Sequence, residues 1–410
     1  MNADLQAPAS PPSLATWFRI GLMSFGGPAA HISVIQQEIC ERQKLVDYDT
    51  YLRGLNFAVL LPGPEAVQLA TYLGWRLEGT AGALKAGLGF ILPGAALIIL
   101  VTVMLIGGGE MPLVQAMFRG VQPVIVALVT VALFRLARSA VKDGVTAGLA
   151  VFALVVMSLF SGVFPIIILI AGALGAIMLP DGQAGYVMQE DESERPAAPW
   201  QTAYALAAGA VIWFTLMALC LAFLQFNPFV GLGLVISTAA LSTFGGAYPA
   251  IAFVGDQAAH TWGWLSETQM IDGLVLAETI PGPLSLYSGY IGAMAAADLG
   301  TSQAVLAGAL AICFTFLPSF TLVLAFAPYV DRLYAISLVR AALAGITAAV
   351  AGIIAKLALF LVFAVCLPEN SPNWLNIMIA AAAGVLLLKE RVPPLTLIAF
   401  GAVLGLLFMR

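Results

Sequence analysis

Long apolar segments fill most of the chain and predict helices that cross a membrane. Two of them, residues 81–106 and 112–135, reach the about 20 residues that an α-helix needs to span a bilayer. Four other apolar segments are interrupted by sequences that a regular helix cannot continue through, because proline lacks an N–H donor and glycine frees the backbone. These interruptions are Gly26-Gly27, Pro62-Gly63-Pro64, Gly245-Gly246 and Pro281-Gly282-Pro283.

The interruptions recur at constant spacing and indicate an internal duplication. Gly26 and Gly63 are 37 positions apart, and so are Gly245 and Gly282. Paired interruptions in corresponding places of two half-chains are typical of the binding site of a secondary transporter.

Positions further along the chain repeat as well. The difference in residue number between paired positions of the two copies changes slightly there. The 27 positions between Pro93 and Gly120 recur between Pro318 and Gly345, but the offset between the copies has grown from 219 to 225. The second copy therefore carries six additional residues, most simply near residues 298–303. We predict an N-terminal tail (1–13), a first repeat (14–180), an acidic linker (181–199), a connecting transmembrane helix (200–227) and a second repeat (228–410).

The placement of lysine and arginine predicts that the two repeats are oppositely oriented. Basic residues of the first repeat cluster in loops such as 135–142, which are predicted to be cytoplasmic. Residues 255–269 and 298–303 of the second repeat have no Lys or Arg and fit the other side. The sequence therefore predicts an all-α polytopic membrane protein of two inverted homologous repeats, with discontinuous, re-entrant helices at the interruptions and roughly nine full spans.

Composition and charge exclude several classes of function. The chain is 61% hydrophobic and 10% charged, with a mean hydropathy of +0.98, which no soluble globular domain of this size has. The net charge of −5 is thinly spread and no basic patch is present, so no nucleic acid is predicted as a partner. The four cysteines form no CxxC or Cys/His cluster, so we predict no metal and no cofactor. Without a nucleophile–base pair, the sequence also predicts no enzyme.

The interrupted helices predict an anion site at their N-termini. The first-turn N–H groups of a helix lack intrahelical partners, and the helix dipole favours negative charge there. The alternative is that the interruptions are kinks and close-packing contacts, but their recurrence at one spacing favours a site. The predicted substrate-binding residues are Ser24, Gly26, Gly27, Pro62, Gly63, Pro64, Gln68, Thr243, Gly245, Gly246, Pro281, Gly282, Pro283, Ser285 and Tyr290.

Two carboxylates beside the Pro-Gly-Pro sequences are predicted to couple transport to protons. Glu65 directly follows the first one, and Glu278 lies three residues before the second, where the first repeat has Val59. A carboxyl group in a poorly solvated site can be protonated during turnover. The alternative for Glu65 is a helix-terminal carboxylate that the dipole stabilises. Arg19 and Lys356 could balance an anion, with snorkelling and pairing as their alternatives.

Four segments together resemble the paired signatures of the chromate ion transporter family. They are FGGPAAHI (25–32), LLPGPEAVQLATYLGW (60–75), FGGAYPAIAF (244–253) and ETIPGPLSLYSGYIG (278–292). Because they cover both halves, the chain resembles a long, two-repeat member.

The resemblance implies a multi-pass protein of the bacterial inner membrane that exports chromate and confers chromate resistance, powered by the proton motive force. Chromate is then the partner, with sulfate as an isosteric competitor, alongside membrane lipid and, as an open alternative, a second copy of the chain. Proton-coupled uptake of sulfate or another oxyanion, and a passive anion channel, also stay open.

Overall fold

The computed structural model describes residues 12–108, 111–179, 199–224, 226–330, 332, 336–368 and 371–408. Within these ranges every regular element is a helix, which confirms the predicted all-α fold. The predicted tail (1–13) and acidic linker (181–199) lie outside the described residues, except for their last one or two positions.

The first repeat contains seven α-helices among its described residues, and a π-helical turn (Gln37–Arg42) follows the second of them. Each of its two predicted interruptions separates two of them. The helices are α1 (Leu14–Met23), α2 (Pro28–Gln36), α3 (Tyr48–Leu60), α4 (Glu65–Gly107), α5 (Pro112–Ala140), α6 (Gly144–Leu159) and α7 (Phe164–Met178).

The second repeat follows the connecting helix α8 (Pro199–Phe223) and repeats the same order. One difference is that two helices of the second repeat take the place of α4. The helices are α9 (Gly231–Ser242), α10 (Tyr248–Asp256), α11 (Glu267–Thr279), α12 (Tyr287–Ala295), α13 (Thr301–Phe326), α14 (Ser337–Leu361), α15 (Trp374–Leu388) and α16 (Pro394–Phe408).

Helix α4 reverses direction at Gly79, whose φ of 68° and ψ of −150° are not helical. The two arms, residues 65–78 and 80–107, lie against each other, because the backbones of Gly74 and Gly82 touch. A salt bridge of 2.7 Å from Lys85 Nζ to Glu78 Oε2 closes the turn. In the second repeat the same turn is the longer segment 296–300 between α12 and α13, which lies where the sequence predicts additional residues.

Each Pro-Gly-Pro sequence forms the tip of a helical hairpin. In the first repeat α3 lies beside the first arm of α4, and the rings of Phe57 and Tyr72 approach to 5.5 Å between centroids. In the second repeat α11 lies beside α12, and the Tyr290 hydroxyl donates to the Gln269 carbonyl oxygen over 2.8 Å. We call these the first tip (Pro62-Gly63-Pro64) and the second tip (Pro281-Gly282-Pro283). That both hairpins are re-entrant in the bilayer stays a prediction.

Small residues at equivalent positions of the two repeats each pack against a helix of the other repeat. Gly120 on α5 packs against the backbone of Gly401 on α16, and Gly345 on α14 packs against that of Gly175 on α7. Gly120 and Gly345 are the positions that the sequence pairs between the copies. Small residues let helix backbones approach closely in a membrane protein. The reciprocal contacts interlock the repeats into one helical body.

The helix lengths support a multi-pass membrane protein. Among the described residues, five helices are at least 18 residues long and apolar: α4, α5, α8, Thr301–Tyr329 and Ser337–Cys366. Six shorter apolar helices in the same ranges have 10–17 residues. The 16 residues of α6 extend about 24 Å, less than the about 30 Å of a hydrocarbon core. The roughly nine full spans therefore stay a prediction.

Candidate functional site

Two reciprocal hydrogen bonds bring all four interruptions together. The amide nitrogen of Gly63 at the first tip donates to the carbonyl oxygen of Thr243, 2.8 Å away, and that of Gly282 at the second tip donates to the carbonyl oxygen of Ser24, also 2.8 Å away. Ser24 and Thr243 directly precede the Phe-Gly-Gly sequences of opposite repeats. Each tip is therefore held by the interrupted helix of the other repeat.

The tips depend on glycine for their backbone shape. Gly63 has φ of 129° and Gly282 has φ of 109°, a region that residues with a Cβ adopt only at a cost. The proline after each glycine has extended backbone, with ψ of 106° at Pro64 and 136° at Pro283. Helix α4 begins one residue after Pro64, whereas a 3₁₀ turn (Leu284–Leu286) follows Pro283 and precedes α12. The first N–H groups of α4 have no intrahelical partner.

The hydroxyls of Ser24 and Thr243 are used within their own helices. Both side chains are buried. Ser24 Oγ donates to the Ile20 carbonyl oxygen over 2.7 Å, and Thr243 Oγ1 donates to the Ala239 carbonyl oxygen over 2.6 Å. Each hydroxyl would have to exchange this bond to donate to a ligand. In the described conformation, these two residues contribute their backbone carbonyls to the tips.

A small cavity of about 30 Å³ lies where three of the four interruptions meet. Its volume is room for about one or two water molecules. Thr315 Oγ1 lies 2.6 Å from Ser288 Oγ, which in turn donates to the Ser285 carbonyl oxygen over 3.0 Å. The polar and turn residues on its wall are Gly63, Pro64, Thr243, Ser285, Tyr287, Ser288 and Thr315, and the rest of the wall is apolar.

The remaining predicted binding residues lie around this cavity or apart from it. Pro28, next to the first Gly-Gly pair, lies 3.9 Å from the position that a Cβ on Gly246 would take, so the two Gly-Gly pairs are neighbours. Gly26 instead faces Pro394, and open space surrounds Gly27. Tyr290 lines a different, larger cavity of about 590 Å³ together with Gln269, Asp272 and Asp298.

The two predicted proton-coupling carboxylates have different surroundings. Glu65 lies half-buried in the first turn of α4, and no hydrogen bond or ion pair within the described ranges ends on its carboxylate. Glu278 is 3% exposed, and its Oε1 accepts a hydrogen bond of 2.7 Å from the Tyr248 hydroxyl at the start of α10. The first repeat has Val59 and Ala29 at these two positions, so the buried pair belongs to the second repeat alone.

The two candidate cations are each paired with a carboxylate. Arg19 Nη2 lies 2.8 Å from Glu38 Oε1, and Lys356 Nζ lies 2.9 Å from Asp256 Oδ1. Both pairs hold the ends of the helices that follow the Gly-Gly sequences, so neither charge is directed at the central cavity. The described part of the chain also has no group of three or more His, Cys, Asp or Glu side chains placed to hold a metal ion.

The sequence did not point to Ser319 and Thr315, two hydroxyls of α13 beside the first tip. Thr315 lines the cavity, and Ser319 Oγ lies 2.6 Å from the position of a Cβ on Gly63. A usable signal was present, because Ser319 follows Pro318 at the position where the first repeat has Gly94.

Known proteins match the chain along both repeats. A family model described as chromate transporter matches residues 13–177 and 230–406. A chromate transport protein of Pseudomonas aeruginosa is 31% identical over 361 residues, which cover 85% of this chain and 80% of the relative. One of Cupriavidus metallidurans is 24% identical over 339 residues, covering 82% and 79%. A probable chromate transport protein of Synechococcus elongatus is 24% identical over 417 residues, covering 90% and 93%.

No solved structure matches the chain. The family match includes all four interruptions and both hairpin tips, and the relatives align over most of their own length. The chain therefore belongs to the chromate transporter family, a family of membrane transporters.

Proposed function

We propose that this protein is a secondary active transporter that exports chromate from the bacterial cytoplasm across the inner membrane, driven by the proton motive force. The observation that carries the proposal is the pair of reciprocal hydrogen bonds from Gly63 to Thr243 and from Gly282 to Ser24. They join interrupted helices of both repeats around one small cavity. In transporters built from repeats, substrate sites lie at such junctions of discontinuous helices.

The chemistry of the junction suits a tetrahedral oxyanion. Chromate presents four oxygen atoms that only accept hydrogen bonds. The first turn after Pro64 offers backbone N–H donors and the positive end of the α4 dipole, and a single 3₁₀ turn (Leu284–Leu286) follows Pro283. The hydroxyls of Ser288 and Thr315 lie on the cavity wall and would add donors after exchanging the hydrogen bonds that they make in the described conformation.

The volume of the cavity supports an alternating-access cycle. At about 30 Å³ it holds water but not a tetrahedral oxyanion, so the tips must separate for the anion to enter. The bonds at Gly63 and Gly282 are the direct hydrogen bonds between each tip and the opposite repeat. Breaking one while keeping the other would open the cavity towards one side of the membrane at a time.

The membrane potential can drive the export. Moving one elementary charge through 100 mV is worth about 2.3 kcal/mol, so a dianion that leaves a negative cytoplasm gains about twice that free energy. Glu65 and Glu278 are the groups that we assign to proton coupling, since both are carboxylates beside a tip. No step of this cycle requires a cofactor.

Chromate flux in everted membrane vesicles tests the proposal. Vesicles that contain the protein should accumulate chromate on energisation, with saturable kinetics and inhibition by excess sulfate, and control vesicles should not. Cells with the protein should accordingly accumulate less chromate than cells without it. Chromate or sulfate uptake into cells would instead indicate proton-coupled import. Flux that never saturates would indicate an anion channel.

A further inference from the structure

Two buried polar atoms beside the first tip have no hydrogen-bond partner in the described part of the chain. Ser319 is 1% exposed and its Oγ is unpaired, and Gln68 is fully buried with its Oε1 unpaired. A buried polar atom without a partner is rare in a folded protein, and two beside one turn call for a specific explanation. A ligand that is present for part of a transport cycle would provide one.

Both side chains border the space that the missing side chain of Gly63 leaves free. A Cβ on Gly63 would lie 2.6 Å from Ser319 Oγ and 2.7 Å from Gln68 Nε2. The same Gln68 Nε2 donates to the Pro62 carbonyl oxygen over 2.7 Å, which fixes the amide against the tip. Gly63 also lines the central cavity. The hydroxyl of Ser319 therefore lies against the residue that joins the cavity to the N-terminus of α4.

The second tip lacks this arrangement although its glycine makes the equivalent backbone hydrogen bond. The position paired with Ser319 is Gly94, whose backbone packs directly on the Pro281 carbonyl group. Leu286 lies 3.0 Å from the position of a Cβ on Gly282 and fills the space there. The position paired with Gln68 is Tyr287. Apolar and backbone groups thus close the second tip, and polar groups surround the first.

We infer that the first tip alone carries the oxyanion subsite, and that Ser319 is a substrate-binding residue within it. This inference rests on the proposed function and specifies which half of the junction holds the anion. The Ser319 hydroxyl donates to one oxygen of the anion, next to the N–H groups at the start of α4. The Gln68 carbonyl oxygen accepts from a water molecule that accompanies the anion. Gly63 is required because any side chain there would occupy this space.

Equilibrium binding to the purified, detergent-solubilised protein tests the subsite without any flux. Chromate and sulfate would be titrated into wild type, Ser319→Ala and Ser319→Thr. Loss of one hydrogen bond to a charged ligand should raise the Kd of Ser319→Ala about tenfold. Ser319→Thr, which keeps the hydroxyl, should bind within about threefold of wild type. The matched control is Thr102→Val, because the buried Thr102 hydroxyl already donates to the Ile98 carbonyl oxygen over 2.6 Å; its Kd should not change.

The outcomes separate this inference from the proposed function. The subsite is overturned if Ser319→Ala binds chromate with the same Kd as the wild-type protein while all variants elute as the same folded species. It is also overturned if the wild-type protein binds neither anion. If Ser319→Ala binds weakly but wild-type vesicles export no chromate, the subsite stands and the export proposal fails. In vesicles that do export, Ser319→Ala should raise the KM for chromate with little change in kcat, which a purely structural role would not produce.

Discussion

The backbone nitrogen of Gly63 donates a hydrogen bond of 2.8 Å to the carbonyl oxygen of Thr243 in the opposite repeat. Gly282 makes the equivalent bond to Ser24. A backbone bond between repeats fixes the position of each tip without fixing its side chains. The same contact can therefore tolerate different chemistry at the two tips, which is what Ser319 and its counterpart Gly94 show.

Alanine at either tip glycine should strongly lower export while the protein still reaches the membrane. A Cβ at φ of 129° or 109° strains the turn by about 1–2 kcal/mol. At Gly63 it would also collide with Ser319 and Gln68. We expect Gly63→Ala and Gly282→Ala to lower chromate export in vesicles by about tenfold or more, since each 1.4 kcal/mol changes a rate tenfold.

The control for this pair is Gly148→Ala on α6, where a Cβ meets only open space. It should export chromate as wild type does. Wild-type export from both tip variants would show that the interruptions are only structural kinks.

Reporter fusions should place two loops on opposite sides of the membrane. Residues 255–269 have no Lys or Arg, whereas residues 135–142 contain Arg135, Arg138 and Lys142. The positive-inside rule places the second loop in the cytoplasm and the first outside. A phosphatase fusion should be active only in 255–269, and a fluorescent protein should fluoresce only at 135–142. Cytoplasmic signals from both loops would contradict the inverted repeat.

The sequence predicted the local breaks because each depends on residues that are adjacent in the chain. Adjacent proline and glycine residues disfavour helix locally, and the four predicted interruptions all separate helices, whereas single prolines such as Pro93 and Pro318 lie within helices. The family model confirmed the resemblance, because the two ranges that it matches contain the same four interruptions.

The contacts between the repeats could not be predicted, because spacing along the chain does not determine which surfaces meet. The bond from Gly63 to Thr243 and the place of Ser319 depend on how α13 packs beside the first tip. Tyr290 shows the same limit, since its hydroxyl reaches the Gln269 carbonyl oxygen at the far end of its hairpin. Periodicity places it after the second tip but cannot give that direction.

Removal of Lys356 should destabilise the protein strongly, and removal of its partner as well should restore much of the loss. The side chain of Asp256 is 10% exposed, and its Oδ2 has no partner among the described residues. Lys356→Met would leave this carboxylate buried, with His260 at 3.5 Å as its remaining charged or titratable partner among the described residues. Loss of one partner of a buried ion pair costs about 3–5 kcal/mol. Thermal unfolding in detergent should show this loss for Lys356→Met and a smaller one for Lys356→Met with Asp256→Asn.

An exposed ion pair provides the control for this measurement. Glu390 pairs with Arg135 over 3.1 Å, and the Glu390 side chain is 78% exposed. Glu390→Gln should change stability by less than about 0.5 kcal/mol. Equal destabilisation by the Lys356 single and double variants would mean that the lysine acts through its packing and not through its charge.

Glu65→Gln should remove the dependence of export on the pH gradient. Glu65 lies in the first turn of α4 with no hydrogen bond or ion pair from the described residues. An ionised Glu65 competes with the anion for the N–H groups of that turn and repels it across a poorly screened gap. Protonation would release those groups, so the anion would bind together with a proton and the pair would leave with one net negative charge, which the membrane potential drives outwards and a pH gradient that is acidic outside opposes. Glutamine mimics the protonated form at all pH values, so the variant should still bind chromate.

Vesicle flux with the pH gradient and the membrane potential imposed separately measures this coupling. Glu65→Gln should retain export driven by the potential and lose its response to the pH gradient. Glu278→Gln is the comparison. Its amide oxygen can still accept the hydrogen bond from the Tyr248 hydroxyl, as the carboxylate does. This variant therefore removes the ionisation of residue 278 and preserves its contact with Tyr248. If Glu65→Gln keeps its full response to the pH gradient and Glu278→Gln loses it, the proton is carried at the second tip, and Glu65 is only a helix-terminal carboxylate.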